Sequence, residues 1–328
     1  MAGLVIRSAL RRPLAQVRHV SPVRPGTAEG LVAAVYTEVE RDFGMLAPPV
    51  ALHSPAPELL AACWVMLRET LVATGPVERA AREAVAASVS RANSCPYCAE
   101  VHGSTLNGLL SGVGPQPGEE PQLTAGSAPE LLGVAVTFHY LNRMVNVFLG
   151  ESPIPAGAPA LVRRSAAAVL GRFMARNARQ LCPPGRSLDL LPAAPLPADL
   201  SWAAGTPSVA GAFARAAAAA DAAGGRSVPA SVRELVLAEL DGWDGTPKGI
   251  GRGWVGPATA ALPPAERPAG VLALLTALAA YQVDDAVVAD FRRLSPADAS
   301  LVELVSWSAM AAARRAGRRL APEPAGGS

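Results

Sequence analysis

Apolar residues recur every three or four positions along most of the chain, the spacing that lines one face of an α-helix. In the first half this period predicts helices over 30–43 and 57–73, parted by a proline- and histidine-bearing loop at 46–55. A third helix is predicted over 76–93, where Val77, Ala80, Ala81, Ala84, Val85 and Val89 form one stripe and Glu83 lies beside it. Pro96 opens a fourth, ending near Leu110, because proline's fixed φ suits the first helical position. The stretch 111–129, rich in Gly, Pro, Gln and Glu, reads as an exposed loop, and 130–149 as a long helix closed by Gly150. Beyond the broken run 152–159, helices are expected over 160–180, 207–223, 229–240, 267–282, 284–293 and 296–320, with a proline-rich loop at 183–197.

Composition supports an all-α fold class: half the residues are apolar but only 5% are aromatic, and Ala, Leu and Val crowd the sequence. A length of 328 residues favours two units. The expected division is an arm (1–25), a redox-active helical domain (26–155), a degenerate second helical domain (156–321) and a tail (322–328). Setting Glu234 on Glu83 aligns the halves as diverged copies, with Thr246, Gly249 and Gly253 where Cys95, Cys98 and His102 stand. Setting Glu303 there instead puts Arg315 and Arg318 at the cysteine positions. Neither register restores a second site.

Lys248 is the only lysine, and the net charge of +2 comes from dispersed arginines, so no nucleic-acid face is expected. The longest apolar stretches, 269–283 and 301–313, are too short for a comfortable membrane span and read as buried helices. Arg7, Arg11, Arg12 and Arg18 precede the first acid, Glu29, as in a transit peptide, but no apolar leader core or cleavage site accompanies them. Four cysteines, two of them close together, point to a reducing compartment and a cytoplasmic protein.

The closely spaced pair is Cys95-Pro96-Tyr97-Cys98. With Cys95 as N-cap, Cys98 falls in the first helical turn and His102 one turn beyond on the same face. Free N–H groups and the helix dipole there favour thiolate, and an imidazole can take the thiol proton. The offset also lets the two sulfurs meet, so a sulfenic acid on one can be resolved by the other. Glu83, twelve residues before Cys95, is placed by a turn at Asn93-Ser94 to relay protons to His102. Three other readings stand beside this one. Cys95, Cys98, His102 and Glu83 are ordinary zinc ligands, though structural zinc sites usually bring a second close pair. The thiols could instead be inert core residues, and Glu83 a surface ion-pair partner.

Glu83 followed by Asn93-Ser-Cys95-Pro-Tyr-Cys98-Ala-Glu-Val-His102-Gly resembles the alkylhydroperoxidase D-like branch of the carboxymuconolactone decarboxylase superfamily. The later run Phe138 to Gly150, with Asn142-Arg143, resembles that family's closing helix. The resemblance covers about residues 57–150. It implies an all-helical fold, a symmetric homo-oligomer and reduction of hydroperoxides by the cysteine pair. By motif position Cys98 would be the attacking thiolate, Cys95 the resolving thiol, His102 the proton acceptor and Glu83 the relay. The family's decarboxylases lack the cysteine pair, which disfavours lactone decarboxylation. The expected partners are a hydroperoxide or disulfide substrate and an external dithiol reductant protein; no cofactor is expected, since no flavin or nicotinamide motif is present.

Other tempting residues have plainer readings. Cys63 and Cys182 are isolated, small and apolar in character. His139 reads as a hydrogen-bonded core histidine or a pocket wall, and nothing in the sequence couples His19 or His53 to the site. Gly249-Ile-Gly251-Arg-Gly253 has no strand before it and reads as a turn, and Trp202, Trp243, Trp254 and Trp307 as core anchors.

Overall fold

The computed structural model describes residues 12–111, 129–154 and 159–321; among them every regular element is helical. The main helices are α1 (Gly30–Asp42), α2 (Pro57–Leu67), α3 (Arg79–Ala92), α4 (Pro96–Leu110), α5 (Pro129–Phe148), α6 (Ala160–Ala178), α7 (Pro207–Ser227), α8 (Ala230–Asp241), α9 (Arg267–Ala279), α10 (Asp285–Arg292) and α11 (Asp298–Leu320). The periodicity therefore locates all eleven. Residues 112–128 of the expected loop and 155–158 of the run 152–159 lie outside the described residues.

Two boundaries move for reasons that buried charge explains. The helix expected over 57–73 widens into a π-turn at Arg68–Val72, closed by the Ala73 N–H on the Arg68 carbonyl (2.7 Å). Arg68 and Glu69, both buried there, must each reach polar partners. The Arg68 guanidinium finds Asp42 (2.7 Å), Glu69 (2.6 Å) and the Pro183 carbonyl (3.1 Å), and Glu69 accepts from the Gly185 N–H (2.7 Å). Helix α3 starts at Arg79 rather than Pro76, because buried Arg82 donates to the Ala73 carbonyl (2.5 Å) and runs beneath Gly75.

One contiguous apolar cluster draws on both halves of the chain. Helix α5 lies between α3 and α11, and α2 packs against α7. Phe138, Tyr140, Met144 and Phe148 of α5 are almost wholly buried, each large side chain stabilising by about 1.5–3 kcal/mol. The Tyr140 hydroxyl bonds His53 Nε2 and Ser306 Oγ, both at 2.8 Å, so His53 is a core residue coupled to α11. Trp243 and Trp307 are buried as anchors, and Trp202 and Trp254 are half-buried against the cluster. The arm is strapped down at the Arg18 N–H by the Phe148 carbonyl (2.8 Å) and at the Ser21 N–H by Asp298 (2.8 Å).

Helix α6 crosses α4 backbone to backbone. A Cβ on Gly108 would sit 2.5 Å from the Gly171 carbonyl oxygen, and one on Gly171 would fall on the Ser104 carbonyl oxygen. Two glycines thus bring α6 over the helix that carries Cys98 and His102.

Candidate active site

Helix α3 ends in a tight reversal that delivers Cys95. The Ser94 N–H bonds the Arg91 carbonyl (3.0 Å) and the Cys95 N–H bonds the Ser90 carbonyl (2.9 Å), with Ser94 left-handed at φ 51°. This is a Schellman stop with serine where glycine is usual. The chain turns within two residues, and Pro96 then starts α4 with Cys95 as its N-cap, as the sequence predicts. The Cys95 thiol makes no capping bond, so it is free for its neighbour.

The reversal folds α3 against α4 and brings Glu83 onto His102. Glu83 Oε2 lies 2.6 Å from His102 Nδ1, and its Oε1 accepts from Arg79 at 2.7–2.8 Å. Glu83 is completely buried, which alone would raise its pKa; the Arg79 and His102 charges and hydrogen bonds outweigh that and lower it. The surface reading of Glu83 therefore fails. Facing a carboxylate at this distance, His102 Nδ1 carries a proton, which leaves Nε2 as the ring nitrogen available for proton exchange. The ring is set edge-on against Phe138, centroids 4.6 Å apart.

Cys95 and Cys98 are buried free thiols hydrogen-bonded to each other. The expected depression of the thiol pKa is not found at Cys98. Burial, then the neighbouring Cys95, pushes the Cys98 thiol up, and the opposing contribution is a hydrogen bond from Asn142 on α5. His102, occupied by Glu83, is not among the groups that lower it. Asn142 is a site residue that the residue-level reading missed; only its place in the Asn142-Arg143 pair flagged it. Among the described residues no group of three or more His, Cys, Asp or Glu side chains is spaced to hold a metal ion.

A cavity of about 660 Å³ opens onto Cys98 and His102. Its walls are mostly carbon, from Met45, Leu67, Phe138, Val169, Leu170 and Phe173, and Tyr97 lies beside Cys98 in the lining. Cys95 does not line it. A second cleft of about 720 Å³ lies in the other half, where Arg314, Arg315 and Arg318 face Asp199, Asp221 and Asp241; no cysteine, serine or histidine lines it. Glu303 is engaged by Arg226 (2.6 Å) and Ser227, while Glu234 is exposed.

The remaining candidates sit apart from the cavity. Cys63 is fully buried, which pushes its thiol far up, and Cys182 is buried with its N–H bonded to Thr74 (2.9 Å). His139 bonds Asn93 at 3.1 Å and does not line the cavity. His19 lies 3.6 Å from Asp285, away from the site. Gly249 to Gly253 is irregular loop, with Gly249 at φ 73°. Among the described residues no helix is long and apolar enough to cross a membrane.

The chain is 38% identical to the alkyl hydroperoxide reductase Rv2159c of Mycobacterium tuberculosis over 330 aligned positions, covering 92% of this chain and 94% of that one. No family model matches, and no solved structure does. Identity of that level over nearly the whole of both chains, with the cysteine pair at a helix start in an all-helical fold, carries one conclusion: the chain belongs to the alkylhydroperoxidase D-like family.

Proposed function

We propose that the protein is a thiol-dependent peroxidase that reduces organic hydroperoxides through a Cys98/Cys95 dithiol–disulfide cycle. The observation that carries the reading is the placement of Cys98 on the wall of an apolar cavity, with Cys95 behind it and His102 beside it. His102 Nε2 accepts the Cys98 proton, and Glu83, held by Arg79, stabilises the resulting imidazolium. The Cys98 thiolate attacks the terminal peroxide oxygen. An S–O bond forms as the O–O bond breaks, and the leaving alkoxide takes the proton from His102 to depart as alcohol. The Cys95 thiol then displaces hydroxide from the Cys98 sulfenic acid, giving a disulfide and water. An external dithiol protein returns two electrons and two protons to the pair.

The carbon-lined cavity favours a hydroperoxide with an organic group, and the chain's relative is named for alkyl hydroperoxides. In this reading the second half, 156–321, lends α6 to the cavity wall and otherwise acts as scaffold, and the protein works in the cytoplasm as a homo-oligomer. The test is turnover of cumene hydroperoxide by the full chain with a dithiol reductant, followed by peptide mass spectrometry. A reversible Cys95–Cys98 disulfide is expected, and Cys98→Ser abolishes turnover. Full activity in that variant overturns the assignment of the attacking sulfur, and a pair that stays reduced under peroxide overturns the cycle.

A further inference from the structure

The polar groups beneath Cys98 form a chain whose direction is fixed. Asn142 is fully buried on α5, and its Oδ1 accepts from Asn93 Nδ2 at 3.0 Å. Its Nδ2 is therefore the donor end, and one proton goes to Ser90 Oγ at 3.0 Å. The Ser90 hydroxyl spends its own proton on the Ala86 carbonyl (2.6 Å), so toward Asn142 it can only accept. The second Nδ2 proton is left for the Cys98 sulfur, with which Asn142 is hydrogen-bonded.

The orientation is tied to His139 one step further back. Asn93 Nδ2 also touches His139 Nδ1 at 3.1 Å, so that nitrogen must be an unprotonated acceptor. Burial and the nearby Arg143 guanidinium lower His139 to a pKa of about 3, so the ring is neutral with one unprotonated nitrogen, and the Asn93 contact makes that nitrogen Nδ1. If His139 donated instead, Asn93 would turn its carbonyl outward, Asn142 would have to follow, and a carbonyl oxygen would face the sulfur. Arg143 is itself pinned by the second half, its Nε donating to the Ala277 carbonyl (2.9 Å) and its guanidinium lying 5.7 Å from the Trp243 ring centre, while its Nη1 donates to the His139 carbonyl on its own helix (2.6 Å).

We propose that Asn142 is a positioning residue that holds the Cys98 thiolate with an N–H donor, and that His139 and Asn93, steadied by Arg143 and the second half, fix that donor's direction. The proposal rests on the reading of Cys98 as the attacking sulfur. It assigns the second half a part in the chemistry that needs no cysteine of its own. It also divides the labour around Cys98: His102 removes the proton and Asn142 receives the charge that is left.

The test is the pH dependence of Cys98 alkylation by iodoacetamide in the reduced full chain, read on the Cys98 peptide by mass spectrometry. No peroxide or reductant enters, so the result is independent of turnover. Loss of a hydrogen bond to a charged sulfur in Asn142→Leu raises the inflection by about one unit, a tenfold loss of thiolate at a given pH. Asn142→Asp keeps the shape but turns an oxygen to the sulfur, and raises it further. Ser90→Ala breaks the other Nδ2 contact and leaves the inflection in place. His139→Leu, which leaves Asn142 untouched, gives a smaller upward shift and serves if the Asn142 variants do not fold. An unmoved inflection in both Asn142→Leu and His139→Leu overturns the proposal, as does an equal shift in Ser90→Ala. Shifts as expected in a protein that turns over no hydroperoxide overturn the peroxidase reading and leave this one standing.

Discussion

Replacing Glu83 by Gln changes one atom and should change the tautomer of His102. In the native site the Glu83 carboxylate accepts from His102 Nδ1 at 2.6 Å, leaving Nε2 to accept a proton. The Gln amide can keep its oxygen on Arg79, where Glu83 Oε1 now lies at 2.8 Å, and then points N–H at His102 Nδ1. The ring responds by moving its proton to Nε2, so a base becomes a donor. Loss of a general base at this step costs roughly 10²- to 10⁴-fold in kcat/KM for an organic hydroperoxide. Folding loses the charge assistance of both contacts, about 2 kcal/mol in urea titration, because hydrogen bonds to a buried charge are worth more than neutral ones. The stability term has a defined pH dependence. Glu83 has a lowered folded-state pKa, so its contribution is present above the ordinary value of 4.5 and is lost as pH falls through the depressed one. The gap between wild type and Glu83→Gln should therefore close on acidification below 4.5. A folded Glu83→Gln variant with native kcat/KM refutes the tautomer argument, and a gap that widens in acid refutes the sign of the linkage.

Cys95→Ser should stop the cycle after one turnover, leaving a Cys98 sulfenic acid that dimedone captures and mass spectrometry locates. Phe173→Asp places a carboxylate in the carbon-lined cavity and should raise KM for cumene hydroperoxide about tenfold while the rate with hydrogen peroxide stays put, since only the bulkier substrate needs the wall. Gly171→Ala drives a methyl group onto the Ser104 carbonyl, a backbone atom that cannot step aside; parting α6 from α4 should cost about 1–3 kcal/mol in urea titration.

The helices were legible because their buried faces repeat at the helical period and their ends carry local signals. Pro57, Pro96 and Pro207 each stand at a helix's first turn, and Asp284 caps α10 by accepting from the Val287 N–H (3.0 Å). What the pattern could not show was the influence of buried charge. Arg68 and Arg82 look in sequence like ordinary polar-face residues. Their partners, Asp42, the Pro183 carbonyl and the Ala73 carbonyl, lie up to 115 residues away, and those partners decide where α2 widens and where α3 can begin. The α4–α6 crossing was hidden for the same reason, since Gly108 and Gly171 become informative only when placed against each other.

At the site, the local geometry was legible and the electrostatics were not. Spacing alone put Cys98 and His102 on one face of a helix and gave Glu83 a route to the imidazole, because those relations depend on one helix and one turn. The effect of the helix start on the thiol was not legible, because a dipole argument assumes a sulfur near solvent, whereas burial beside a second thiol outweighs it at Cys98. A thiol pushed up in this way is a poor nucleophile at neutral pH until something removes its proton and something else holds the charge. In the proposed mechanism Glu83 commits His102 to the first task by fixing which nitrogen is free. The second falls to a group on another helix, and Asn142 is the side chain whose bond to Cys98 favours the charged form. It comes from α5, the helix that also contacts the second half through Arg143, so the long chain places its chemistry in one half while part of what makes that chemistry work is braced by the other.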